Sequence, residues 1–221
     1  MLVTAINPNP RRTGRFDVVI DGAVAATISI EAIERLRLSV GTVVDDRIEA
    51  ALARETSIIT TYDRALNMIA LRARSAAELR RMLLRKGEPA EYVDIAIERL
   101  LRAGFLDDAS FARQFARAKA LGSGMSRRRV QQELARRGVA RDVADSAIAE
   151  VFAEEHVDES DTLERVARKK LKSLERLDVH VQRRRLYAFL ARRGYDSDDI
   201  ARTLRAVIPK ADDAVSADVR D

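Results

Sequence analysis

The chain contains no cysteine and no tryptophan, and it has only two histidines, His156 and His180. Without cysteine there is neither a disulfide nor thiolate chemistry, which suits a reducing cytoplasm. Both histidines stand in polar stretches with no partner at metal-ligand spacing, so they read as surface residues. Aromatics are only 5% of the chain, and a composition rich in Ala, Leu and Arg favours helix over sheet. No apolar run reaches membrane-spanning length, and the N-terminus lacks the apolar core of a signal peptide, so no membrane partner is expected. Gly122 and Gly124 are not followed by the Lys-Ser/Thr pair that a phosphate-cradling loop needs. No nucleophile with a base, metal cluster or catalytic carboxylate pair stands out. An enzyme is therefore not expected, nor a cofactor, nor nucleotide hydrolysis.

Charge, by contrast, is plentiful: 34% of residues are Asp, Glu, Lys or Arg, for a net +5. It is unevenly spread. Residues 1–60 hold 7 cations and 8 acids, residues 61–208 hold 31 and 23, and residues 209–221 hold 2 and 4. A basic central array is the electrostatic footprint of a polyanion or an acidic protein partner. By charge alone, a helical protein laced with solvated Arg–Glu pairs fits equally well.

The organising stretch is Arg72 to Ala112. Ser75 with Glu78 forms a capping-box signature, and Leu79, Met82 and Leu83 follow on one helical face. Lys86-Gly87 is a stop, with glycine free to take the left-handed position. Val93, Ile97, Leu100 and Leu101 make a second stripe, ended by Gly104. Aligning Gly87 with Gly138 and Gly194, which are 51 and 56 residues apart, brings Leu79 onto Val130 and Leu186, and Leu83 onto Leu134 and Leu190. The same alignment matches Ile97 with Ile148 and Leu204, and Leu100 with Val151 and Val207. Periods of this size predict stacked units, each too small to bury its apolar face alone.

The predicted architecture is therefore mainly α: three tandem three-helix repeats in an elongated curved array, behind a small N-terminal β-hairpin plus helix extension. The extension covers residues 1–60, the repeats 61–106, 107–153 and 154–209, and a disordered acidic tail 210–221. In the extension, Phe16 to Ile20 and Val24 to Ile30 flank the turn signal Asp21-Gly22. An isolated hairpin is marginal, so Leu2 to Ile6 is the candidate third strand. A short helix to Leu38, stopped near Gly41, precedes a long helix from Asp45 that continues toward Ala73 as a connector. Asp107-Asp108 reads as a helix cap rather than a metal pair, because no third carboxylate or His stands near. Gly122-Ser123-Gly124 reads as a flexible joint, and Pro209 as the last helix stop.

The run of Arg72-Ala73-Arg74-Ser75 with Glu78-Leu79 and Gly87, then Gly104 with Leu106-Asp107-Asp108 and Phe111-Ala112, then Ser126 with Gln132-Glu133-Leu134 and Gly138, resembles the RecX family, regulators of the RecA recombinase. The resemblance covers Tyr62 to Val151 closely and the third repeat more loosely. It implies a cytoplasmic, monomeric regulator that binds the RecA–single-stranded-DNA filament and limits recombinase, ATPase and coprotease activity. From the residues alone, a direct binder of single- or double-stranded DNA built from helix-turn-helix-like units, or a helical adaptor for another partner, stays open.

Candidate binding residues are cations. The pairs Arg85-Lys86, Arg136-Arg137 and Arg192-Arg193 each close a helix, where the dipole already favours them. Arg127-Arg128-Arg129 and Arg183-Arg184-Arg185 stand where repeat one has Ala76-Ala77-Glu78, at a helix start, although an earlier start capped by Asp178 would take the second cluster inside its helix. Three cations at a helix start oppose the dipole, so these clusters point to partner contacts. Arg80, Arg81, Arg136, Arg137, Lys169 and Lys170 complete the candidate set.

Overall fold

The computed structural model describes residues 1–208. Pro209 and the expected acidic tail lie outside the described residues. The chain forms two compact units that divide between Leu106 and Asp107.

The first unit opens with three antiparallel strands in the order β1-β2-β3: β1 Val3–Pro8, β2 Arg15–Ile20 and β3 Ala23–Ser29. Asp21 and Gly22 both have positive φ (48° and 89°), as a two-residue hairpin turn matched to strand twist requires. The Asp21 carboxylate also accepts a hydrogen bond from the Leu2 amide at 2.9 Å, which seats β1 as the third strand. Ser29 caps α1 (Ile30–Arg35) by accepting from the Ala32 amide. This helix ends three residues before the expected Leu38. Arg37 turns the chain at φ 51°, and Leu38 is spent in the core instead.

The long helix α2 (Asp46–Leu71) runs through residue 60 without a break. Its Leu52 and Ile59 pack with Val18, Ile28 and Ile33, whereas its Ala65 and Met68 pack with the first repeat. Glu55, fully enclosed on α2, takes ion pairs from Arg35 of α1 and, at 3.8 Å, from Arg99 of the first repeat. One helix and one carboxylate thus tie the extension to the repeat. α3 (Ala76–Arg85) starts on Ser75, whose hydroxyl accepts from the Glu78 amide at 3.1 Å, and α4 (Ala90–Arg102) completes the repeat. The Glu78 carboxylate pairs with Arg72 and Arg74.

The second unit holds two more repeats. α5 (Asp108–Arg117) continues into a π-helical turn (Ala118–Gly122), and α6 (Arg127–Arg137) and α7 (Arg141–Glu154) follow. α8 (Glu159–Lys172), α9 (Val179–Arg192) and α10 (Ser197–Val207) form the last repeat. Leu79, Val130 and Leu186 are completely buried, as are Leu83, Leu134 and Leu190. Each middle helix is followed by its glycine at nearly the same conformation, with φ 84°, 81° and 89° for Gly87, Gly138 and Gly194. The glycine register therefore aligns three real units.

Asp107 is a cap, as its sequence context implied: its carboxylate accepts from the Ala109 and Ser110 amides at 2.9 and 3.0 Å. Asp107→Ala is expected to cost about 1 kcal/mol, read as a lowered midpoint in thermal denaturation, while Asp107→Asn loses less than half of that.

One local expectation is corrected. Gly122-Ser123-Gly124 is a packed crossing rather than a flexible joint. A Cβ on Gly124 would run into the side chain of Val166 on α8, and the carbonyls of Ser123 and Gly124 accept hydrogen bonds from Arg193 and Tyr195. In repeat three the earlier helix start is the one found: α9 begins behind Asp178, whose carboxylate accepts from the His180 amide at 2.8 Å, four residues before Gln182, the residue that aligns with Ser75 and Ser126.

Candidate partner-binding surface

The structure separates the candidate cations by what already holds them. Arg80 of α3 makes a two-pronged pair with Asp94 of α4, at 2.6 and 3.2 Å. That hydrogen bond raises the Arg80 pKa and lowers that of Asp94. Arg81, exposed on the same helix, is also engaged. In repeat two, Glu133 is a hub. Arg129 lies 2.8 Å from it, Arg136 3.3 Å and Arg137 2.9 Å. The bond from Arg137, then the nearby guanidiniums, hold its carboxyl below the usual range. Arg137 also lies over the Phe115 ring at 4.4 Å.

Arg127, Arg128 and Arg129 do stand at the start of α6, behind the Ser126 cap. The expectation that no stabilising role would explain them is corrected for two of the three. The Arg127 amide donates to Glu159 at 2.9 Å, its guanidinium lies 3.5 Å from the same carboxylate, and it covers the Phe152 ring at 4.4 Å. Glu159 supplies from α8 the negative charge that the first turn of α6 lacks in its own sequence. Arg127→Ala is accordingly expected to destabilise the second unit by about 1 kcal/mol rather than leave it unchanged, measurable by chemical denaturation. Of the three, only Arg128 has no ion pair among the described residues.

These contacts belong to a junction between repeats two and three. The Ser126 amide donates to the Arg193 carbonyl at 3.0 Å, and the Arg193 guanidinium donates to the Ser123 carbonyl at 2.9 Å while lying 3.7 Å over Phe189. The buried Tyr195 hydroxyl donates to the Gly124 carbonyl at 3.2 Å, and burial pushes its pKa up to about 12. A cleft of about 330 Å³ opens here, between the N-terminal turns of α6, α8 and α10. Its walls carry Arg127 and Arg128 but also Glu159, Asp196 and Asp199. Capping oxygens already occupy amides of all three turns. The cleft is thus charge-balanced, which makes it a seam rather than an anion site.

The unbalanced charge lies in α8 and α9. Between Arg165 and Arg193 the sequence has eleven Lys or Arg and two acids, Glu175 and Asp178. Asp178 is committed to its cap. Arg168 pairs with Glu164 at 2.6 Å, just outside the segment. Arg183, Arg184, Arg185, Lys169, Lys172 and Arg176 have no hydrogen bond or ion pair through their side chains among the described residues. Lys170 lies 5.5 Å over Phe189, the ring that Arg193 also covers. Arg183–Arg185 are interior to α9, because that helix starts at Val179. The helix-start argument for them is therefore corrected, and their lack of partners replaces it.

Sequence reasoning did not single out Tyr187 or Tyr195, and it read Arg193 only as a cation closing a helix. The Tyr195 and Arg193 contacts span about seventy residues and leave no local signal. Tyr187, however, follows Arg183 and Arg184 at helical spacing, which was legible. No group of three or more His, Asp or Glu among the described residues could hold a metal ion, and no described helix is long and apolar enough to cross a membrane.

Comparison with known proteins gives consistent matches. The first, second and third three-helix domains of RecX match residues 62–100, 107–148 and 158–204. The regulatory protein RecX of Pelodictyon phaeoclathratiforme is 37% identical over 150 residues, which is 67% of this chain and 90% of the relative. That of Levilactobacillus brevis is 28% identical over 90% of this chain and 73% of the relative. Among solved structures, a crystal structure of a regulatory protein RecX superposes with a TM-score of 0.73 at 19% identity, covering 91% of this chain and 98% of that one, a likeness of fold.

Proposed function

Since the chain belongs to the RecX family of regulatory proteins, we propose that it binds the RecA–single-stranded-DNA filament and restrains RecA's recombinase, ATPase and coprotease activities. It does so as a cytoplasmic monomer with no chemistry or cofactor of its own. The observation that carries this reading is the cation surplus of α8 and α9. Cations in repeats one and two are largely matched by Asp94, Glu133 and their like, whereas Lys169, Arg184 and Arg185 are exposed, Arg183 is half-buried, and none of the four has an ion pair among the described residues. A nucleoprotein filament offers such charge on phosphate and on acidic protein surface alike. Arg128, exposed at the rim of the repeat junction, is a further open cation of the second unit, while Arg80, Arg81, Arg127, Arg129, Arg136 and Arg137 are each engaged within their own unit.

A titration tests the reading. At near-physiological salt the protein is expected to bind RecA-coated single strands at least ten times more tightly than bare DNA of the same length, and to lower RecA's DNA-dependent ATP hydrolysis in proportion to occupancy. Equal affinity for the bare strand, with a steep salt slope and unchanged ATPase, would instead identify a plain DNA binder.

A further inference from the structure

Tyr187 is 42% exposed at the centre of the helix that holds the unpaired arginines. The core of repeat three does not need it: α9 buries Leu186 and Leu190 completely and packs Phe189 against the same cluster. Helical spacing sets Arg183 and Arg184 one turn before Tyr187 and Ala191 one turn after it. Ala191 is exposed and short, which leaves the side of the ring toward it open, while i−4 and i−3 spacing places Arg183 and Arg184 toward the other. Arg185 and Arg192, seven residues apart, extend the cations about 10 Å along the helix, past the edge where Lys170 meets Phe189.

An acidic protein surface would answer the cations but gives an exposed ring no particular task. Duplex DNA would answer them too, but its bases are stacked away from such a ring. A single strand presents phosphates and free base faces together, and stacking on an aromatic ring is tolerant of sequence because every base has a π face. We infer that α9 is a stacking site for single-stranded nucleic acid, in which Tyr187 lies against a base while Arg183 and Arg184 hold the flanking phosphates. This inference rests on the reading that the partner filament contains a single strand, and it assigns that strand, rather than the recombinase, to α9.

The test uses the full chain and a labelled oligodeoxythymidylate at low salt. Because the chain has no tryptophan and only four tyrosines, tyrosine emission reports stacking directly. Wild-type protein is expected to bind the oligomer with part of that emission quenched. Tyr187→Phe should keep affinity within about twofold yet lose that part of the quench, and Tyr187→Ala should weaken binding about tenfold. Should Tyr187→Ala fold poorly by circular dichroism, Tyr187→Gln removes the ring with a good helix former and carries the same expectation. Wild-type affinity in the ring-deleted variant, or duplex DNA bound as tightly as the single strand, overturns the stacking site. A protein that binds the RecA filament but not the oligomer overturns it too, and assigns α9 to an acidic protein surface while leaving the filament reading intact. Tyr187-dependent binding of the oligomer without filament binding does the reverse.

Discussion

Replacing Arg183, Arg184 and Arg185 together with alanine is expected to weaken filament binding by roughly ten- to a hundredfold and to flatten its salt dependence by about two units of slope. The fold should hardly notice. None of the three guanidiniums has an ion pair among the described residues, and none belongs to the core of repeat three, which is built from Leu186, Leu190, Tyr195, Ile200 and Leu204. Alanine is at least as good a helix former, so the denaturation midpoint should move by no more than about 0.5 kcal/mol. The informative control is Arg136→Ala with Arg137→Ala. That change releases two of the three cations around Glu133 and uncovers Phe115. It is expected to lower stability by about 1–2 kcal/mol while changing filament affinity less than the α9 triple. A triple variant that unfolds more readily and still inhibits RecA normally would mean that these arginines are structural and that the binding surface lies elsewhere.

The second large effect separates glycines that look equivalent. Gly87, Gly138 and Gly194 share a conformation that L residues rarely adopt, so any side chain at these positions is strained by about 1–2 kcal/mol. At Gly87 that is the whole cost, because a Cβ there would meet nothing within 4 Å. At Gly194 it would lie 2.5 Å from the Arg129 Cβ and 2.6 Å from the Ser126 hydroxyl, with the Arg129 amide at 3.1 Å. These atoms belong to the first turn of α6, so relief requires moving a helix end that caps repeat two. Gly194→Ala is therefore expected to cost about 3 kcal/mol or more against roughly 1 for Gly87→Ala. In a chain of this size that difference is on the order of 5 °C or more in Tm. Comparable losses at the two positions would show that the close approach between repeats two and three is not maintained in solution.

Some of this was readable one residue at a time. Ser75, Asp107, Asp178 and the Asp21-Gly22 turn act on amides two or three residues away, or on their own φ, so their spacing in the sequence carries their role. The core register of the repeats was legible for the same reason: Leu79 and Leu83 recur as Val130 and Leu134, then Leu186 and Leu190, on one helical face each time. The RecX resemblance rests on those local patterns. The extension of α2 through both parts of the first unit was legible only as a helix with no clear stop. Which core each half joins was decided by packing.

The proposed binding surface was different. Arg127–Arg129 and Arg183–Arg185 are the same three letters at the same distance before a glycine stop of similar kind. What separates them is whether a carboxylate, on another helix or on their own, lies within reach. Glu159 comes to Arg127 across 32 residues and Glu133 comes to Arg129 along its own helix, whereas nothing among the described residues comes to the α9 triplet. The helices, their caps, the three-fold repeat and the excess of positive charge were legible without the fold, because each depends on composition or on contacts within a turn or two of the chain. That Glu159 neutralises Arg127 and that Gly194 cannot carry a side chain were settled only by tertiary packing, because both depend on atoms that other helices deliver through space.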